Sequence, residues 1–237
     1  MAPMNITVKK NEISFLVEDS EELHQEKEWN FWKEKYSFWE NETFNFLNKF
    51  LSKEKDYLDI GSWVGPTVIY SSFLCRSAIA VEPDPVALKI LNKNINLNNI
   101  SNIKIVNKAV SMLEKTFMSE SKFFGDSMTR VSSSSINGIP IQGIGLDVLF
   151  TMGDFSITKM DIEGSEFDVI PYYSSLLKEK KIPLHLSLHA PFFNDGNQKI
   201  KKIIESLSSA TKVYDQNQNE IDIKNISNNF SSYLFVW

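Results

Sequence analysis

The chain's 237 residues, 42% of them hydrophobic, are enough to bury the core of one ordinary α/β domain. Its formal net charge is −5, with lysine and arginine spread among the acids, which leaves no basic face for RNA or DNA and argues against a nucleic-acid partner. A single cysteine, Cys75, excludes an internal disulfide and reads as a small buried hydrophobe; with no basic-then-apolar leader and no run of about 18 apolar residues, the expectation is a soluble cytoplasmic protein with no membrane contact.

Residues 6–17, ITVKKNEISFLV, alternate apolar and polar around Lys9 to Asn11 and predict a short hairpin ahead of the main fold. Residues 20–52 carry two helical patterns, Trp29, Trp32 and Tyr36, then Phe44, Leu47, Phe50 and Leu51 after a polar ENET. Their aromatic stripes predict core, so residues 1–52 form a hairpin and helical cap packed on a domain spanning 53–237. Trp39 and Glu40, between the helices and ahead of the first strand, are the exception, and Glu40 is a candidate cofactor contact. His24, in an acidic helix, reads as solvent-exposed.

From Tyr57 strands and helices alternate. Strands are expected at 57–60, 78–82, 103–107, 157–161 and 184–189, and helices at about 66–76, 84–95, 164–178 and 194–209, the pattern of a parallel sheet with right-handed crossovers. TKVYD, NQNE and EIDI, then SSYLFVW, place strand-like runs around a turn without a helix, as an antiparallel edge requires. Residues 120–144, rich in serine and glycine, read as a loop with short strands over a pocket; its GDSMTR offers Asp126, Ser127 and Arg130 either as acceptor contacts or as a surface turn.

The first strand runs into LDIGSWVGPT, spaced D-x-G-x-x-x-G. Glycines there let the backbone turn tightly and approach a ligand, so Asp59, Gly61, Ser62, Trp63, Gly65 and Thr67 are expected to cradle one. The third glycine of a dinucleotide fingerprint is missing and no phosphate-binding G-x-x-x-x-G-K-[ST] occurs, which favours an adenosine-bearing ligand without phosphates. Glu82, ending the second strand about 20 residues on, suits both hydroxyls of a ribose, with Asp84 beside it. Asn107 and Ala109, after the third strand, are placed to read an adenine.

LDIGSWVGPT, AVEPDPVALKILNKNINLNN, VNKAVS, GLDVLF and KMDIEGSEFDVI, in that order, resemble the FkbM family of S-adenosylmethionine-dependent methyltransferases, from about Trp39 to Trp237. The resemblance implies a Rossmann-like sheet of seven strands, helices on both faces and the last strand inserted antiparallel. It also implies S-adenosyl-L-methionine as cofactor and methyl transfer to a hydroxyl of a small molecule or sugar. The family commonly carries an acid two places before the histidine of the fifth strand, where this chain has Ser187 before His189.

Methyl transfer is an in-line displacement, so holding the acceptor oxygen about 3 Å from the methyl carbon matters most. A carboxylate or imidazole nearby assists as the hydroxyl proton leaves. Asp161 at the end of the fourth strand and His189 at the end of the fifth are the candidates, with Glu163 third and His189 the expected proton acceptor. Glu163 and Glu166 equally suit the positive end of the following helix, at the surface. His185 and His189 point to one face of their strand about 13 Å apart, too far to share an ion. Asp161, Glu163 and His189 have the donor types of a metal site, but carboxylates beside one histidine are no specific signature, and no metal is expected. A nicotinamide-dependent oxidoreductase, or a non-catalytic adenosyl-binding module, would use the same sheet.

Overall fold

The computed structural model describes residues 4–19, 31–119, 131–132 and 138–237. Strands β1 (Met4–Lys10) and β2 (Ile13–Asp19) form the expected hairpin, turning at Asn11 with φ 51°. Trp29 and His24 lie outside the described residues. Phe31–Lys35 is a π-helical turn rather than an α-helix, and α1 (Asn41–Phe50) follows it. The aromatic stripes are core: Trp32, Tyr36, Phe44, Phe46 and Leu47 are buried against Tyr57 and Val68.

The alternating region comprises β3 (Asp56–Ile60), α2 (Pro66–Ser72), β4 (Ala78–Val81), α3 (Pro85–Leu97) and β5 (Ile103–Val106). Next come β6 (Ala109–Val110), β7 (Lys115–Ser119), β8 (Val131–Ser132) and β9 (Gly138–Ile144), which pair in the order β6-β9-β7-β8 as a separate small sheet. Asp126, Ser127 and Arg130 lie outside the described residues. The chain then forms α4 (Leu146–Leu149), β10 (Phe155–Met160), α5 (Glu166–Tyr172), α6 (Ser174–Lys180), β11 (Leu184–Leu188) and α7 (Gly196–Ser206). It closes with β12 (Lys212–Tyr214), β13 (Glu220–Ile221) and β14 (Ser231–Val236).

The main sheet has the order β13-β12-β14-β11-β10-β3-β4-β5. From β5 to β11 neighbours are parallel, and β14 runs antiparallel between β11 and β12. Eight strands replace the expected seven. The eighth, β13, exists because Asp215 Oδ1 accepts from the Asn217 and Asn219 N–H groups and folds the chain back on β12. The helix expected over 164–178 is two, broken at Tyr173; Pro171 in the last turn of α5 cannot donate the next helical hydrogen bond.

Every residue of β3 is buried, as a central parallel strand covered on both faces must be. Leu58 and Ile60 belong to a core shared with Phe167, Leu186 and Ile203; Tyr57 belongs to one shared with Phe44, Val68 and Ile90. The N-terminal hairpin joins the second core. Glu18 N–H donates to Asn94 Oδ1 at 2.8 Å, and Asn98 bonds both main-chain groups of Leu16 at 2.7 Å.

Lys10, at the end of β1, is buried. Its ammonium donates to the carbonyls of Tyr36 (3.3 Å), Ser37 (3.3 Å) and Trp39 (2.6 Å) and to Asn41 Oδ1 (2.6 Å), 4.5 Å from the centre of the Phe44 ring. It thereby fixes the segment that presents Glu40. Lys10→Met, which keeps the stem and removes the donors, is expected to cost about 3 kcal/mol in urea unfolding at unchanged slope. A loss below about 1 kcal/mol would mean the segment is held by its ring packing instead.

Candidate active site

The turn after β3 is shaped by close approach. Gly61 (φ 81°) lies against the Asp161 carbonyl, where a Cβ would collide, and Gly65 (φ 98°) lies against Leu91 and Ile69. Between them Trp63 is also left-handed, at φ 46°. The polar residues of the turn face inward: Ser62 Oγ donates to the Asp59 carbonyl (2.8 Å) and Thr67 Oγ1 to Asp59 Oδ2 (2.6 Å). Asp59 is fully buried, so it holds the turn from beneath. Burial pushes its carboxyl up to about 6, against the pull of Lys159.

Glu82 stands at the end of β4, where its Oε2 accepts the Trp63 N–H (2.8 Å) and its Oε1 the Asp84 N–H (2.9 Å). Burial raises it to about 7 despite those two donors. Asp84 is spent differently from the expectation. Its Oδ1 accepts the N–H groups of Val86 and Ala87 and caps α3, because Pro85 opens that helix and leaves these two donors unpaired behind it. Gly61, Val81, Pro83, Lys108, Ala109 and Ile162 line an apolar cleft beside Glu82. Ala109 is thus at the cleft, and Asn107 is exposed next to it.

Across the switch point, β10 carries Lys159 and delivers Asp161. Lys159 Nζ is buried 3.4 Å from Asp161 Oδ2 and 3.9 Å from Asp59 Oδ1. Burial alone would lower Lys159, but Asp161, Asp59 and Glu40 hold it above the ordinary lysine range. Burial would raise Asp161, but Lys159 and then His189 hold it below the usual carboxylate range. Glu40, left-handed at φ 44°, accepts Thr43 Oγ1 at 3.1 Å, and burial, with Asp161 adding to it, pushes it up to about 8.

Asp161, Glu163 and His189, expected as a group, are a group: His189 Nε2 lies 3.5 Å from Asp161 Oδ1 and 3.4 Å from Glu163 Oε2. Glu163 (φ 53°) and Gly164 (φ 108°) form the turn that bends its carboxylate back over the strand ends. Glu166 is fully buried rather than a surface charge at a helix end. Its Oε1 accepts both the main-chain N–H of His189 (2.8 Å) and Nδ1 (3.0 Å), and its Oε2 accepts the Gly164 N–H (2.8 Å). Burial works against charge on His189, but Glu166 first, then Asp161 and Glu163, outweigh it and raise the imidazole to about 9. At neutral pH it is an imidazolium, which cannot accept a proton.

The two histidines do not share a strand face. β11 ends at Leu188, and His189 has left the extended conformation (φ −111°, ψ 36°), stacking on Phe192. His185 is buried with Thr43 Oγ1 at 3.5 Å and the Phe46 ring at 5.7 Å, and burial, with Lys159, lowers it to about 3. Lys159 and Glu166 are the residues that sequence reasoning missed. For Lys159 the signal was a lysine in line with Ile157 on one face of the strand, which must be paired to be buried.

A parallel sheet with one inserted antiparallel strand, a glycine turn after its first central strand and an acidic residue ending the next define a methyltransferase-like α/β fold. The profile of the methyltransferase FkbM domain matches residues 59–214, and the chain belongs to that family. SMU.1697c of Streptococcus mutans, solved in complex with SAH, superposes with a TM-score of 0.50 at 11% identity, over 82% of this chain and 96% of that one. The tRNA (m1A58) methyltransferase TrmI of Aquifex aeolicus gives 0.50 at 13% identity over 98% and 96%. Methyltransferase FkbM of Methylobacillus flagellatus KT gives 0.49 at 17% identity; the match covers 78% of this chain but only 44% of that longer protein. Among the described residues, no helix is long and apolar enough to cross a membrane.

Asp59, Glu82 and Glu40 all carry raised values in the folded chain, about 6, 7 and 8. A carboxyl raised by folding contributes stability that is fully present below its unfolded value of about 4 and is lost as pH rises through the folded value. Purified without ligand, the chain is therefore expected to melt at progressively lower temperature from pH 5 to pH 8. Glu82→Gln should flatten the part of that slope near pH 7. Scanning calorimetry across the window checks both, and a midpoint that rises with pH would contradict the assignment.

Proposed function

We propose that the chain is an S-adenosylmethionine-dependent O-methyltransferase acting on a hydroxyl of a small molecule or sugar. The observation that carries this reading is the convergence of Asp161, Glu163 and His189 at the strand ends facing the Gly61 turn, where open α/β sheets bind ligands. The net charge of −5 favours a small acceptor over a polyanionic RNA, and the family match sets aside a nicotinamide oxidoreductase.

The residues fit S-adenosylmethionine. Gly61, with no Cβ, lets the turn pack directly on the Asp161 carbonyl at the strand ends, and the Trp63 and Asp84 N–H groups aim the Glu82 carboxylate, as a two-acceptor ribose contact requires. Ala109 and the apolar cleft suit an adenine face, with Asn107 at its rim. Glu40 would take the amino group of the methionine end. Asp59, Ser62 and Thr67 hold the turn that wraps it, and Asp84 fixes α3 behind it. Bound there, the cofactor supplies an electrophilic methyl on its sulfonium.

The chain's own groups then orient the acceptor and take its proton. One carboxylate of the Asp161 and Glu163 pair accepts the single hydrogen bond that the acceptor hydroxyl donates, which leaves an oxygen lone pair to face the methyl. As His189 is already protonated in the free site, the departing proton passes to a carboxylate oxygen of this pair. His189, held by Glu166, keeps the two carboxylates together. Ser187, half-buried on β11, replaces an acid with a neutral hydroxyl and leaves acceptor recognition to the pair.

Glu82→Ala should weaken S-adenosylmethionine binding by about 2 to 3 kcal/mol, roughly 30- to 150-fold, measured by calorimetry. A change under about threefold would make the residue structural. His189→Ala should bind the cofactor within about threefold of the parent and transfer methyl roughly a hundredfold more slowly. Its cofactor affinity, melting temperature and turnover are read on one preparation, with labelled S-adenosylmethionine and a pool of hydroxylated metabolites and glycans as acceptors. Normal turnover in a folded variant would remove the histidine from the mechanism.

A further inference from the structure

We propose that Asp161 Oδ1, Glu163 Oε2 and His189 Nε2 form a divalent-cation site just past the ends of β10 and β11. In sequence these residues have the donor types of a metal site without a specific signature; in the fold their atoms converge. All three lie within 4.8 Å of one another. The two distances from Nε2, 3.5 Å and 3.4 Å, match the edge of a tetrahedron around an ion bound at about 2.1 Å, which is about 3.4 Å. They are longer than a good charge-assisted hydrogen bond of about 2.8 Å, so a proton on Nε2 serves neither carboxylate well.

Two independent features point to an ion. Glu166 accepts the His189 main-chain N–H and the Gly164 N–H, so it acts as an acceptor throughout and Nδ1 carries the hydrogen between them. That arrangement turns Nε2 toward the two carboxylates, and a carboxylate holding the far nitrogen is the partner that ligating histidines use. Asp161 Oδ1, moreover, is a buried oxygen with no hydrogen-bond partner, while its other oxygen is paired with Lys159 at 3.4 Å. Each Asp161 oxygen thus has a separate task, one on the ammonium and one toward the ion.

The donor set, one imidazole and two carboxylates, suits Mn²⁺, Mg²⁺ or Zn²⁺. The side chains of Asp161, Glu163 and His189 remain 18%, 16% and 12% exposed, so an ion there keeps water on its open side. An acceptor hydroxyl can replace that water. Coordination would lower the hydroxyl's pKa and fix its oxygen, a role that rests on the methyl-transfer reading; when the ion binds, the Nε2 proton leaves to solvent. Metal binding itself is read without donor or acceptor, so it stands or falls separately from that reading.

The probe is Mn²⁺ alone, titrated into the chelator-stripped full chain and followed by electron paramagnetic resonance and calorimetry. One saturable site per chain is expected. Glu163→Gln, a partly exposed position, and Glu166→Gln should each weaken it at least tenfold, with circular dichroism and melting checked on the same samples. If Glu166→Gln does not fold, Glu163→Gln decides alone. Absence of saturable binding in the parent chain, or binding unchanged in folded Glu163→Gln, overturns the site.

Discussion

The buried ammonium of Lys159 is the interaction on which the site depends. It comes from the middle of the sheet, lies 3.9 Å from Asp59 and 3.4 Å from Asp161, and its charge also opposes the raised value of Glu40. Carboxylates from β3, from the end of β10 and from the start of α1 are thereby gathered around one cation. Without it, like charges in a low-dielectric interior would repel or take up protons. The Gly61 turn, packed directly on the Asp161 carbonyl, inherits its position from the same pair of strands.

A second tier holds the first. Lys10 reaches from the N-terminal hairpin to three carbonyls and Asn41 and so sets where Glu40 stands, although Lys10 lies outside the matched residues 59–214. Glu166 does the same for His189. In both cases a buried charged residue uses its hydrogen bonds on main-chain groups, which fixes backbone position and therefore everything carried on that backbone.

The alternation of apolar strands with helical periods made the parallel core legible, since a strand buried on both faces must be apolar and its crossover must cover it. LDIGSWVGPT was legible for the same kind of reason: only glycine tolerates φ 81° beside a carbonyl. Glu166 and Lys159 were not. Each is a charged residue whose partners lie on other elements, and periodicity reports which face a residue occupies, not what waits there. Asp84 misled because a carboxylate just before Pro85 has a local use, capping, that looks like a binding residue in sequence. The basicity of His189 was misjudged because its three acidic neighbours converge only through the turn at Glu163 and Gly164.

The place of β14 has a kinetic consequence. It follows β12 and β13 in the chain yet separates β12 from β11, pairing with both. The β12–β13 hairpin can therefore form early by local contacts but has nowhere to dock until a later segment has threaded in beside β11. Until then β11, with His189 at its end, presents an open edge to solvent. Long-range closure of this kind is slow, and an unpaired edge is where a chain joins its neighbours by mistake. The half-formed sheet, rather than the finished one, is thus the species most exposed to aggregation during synthesis or refolding.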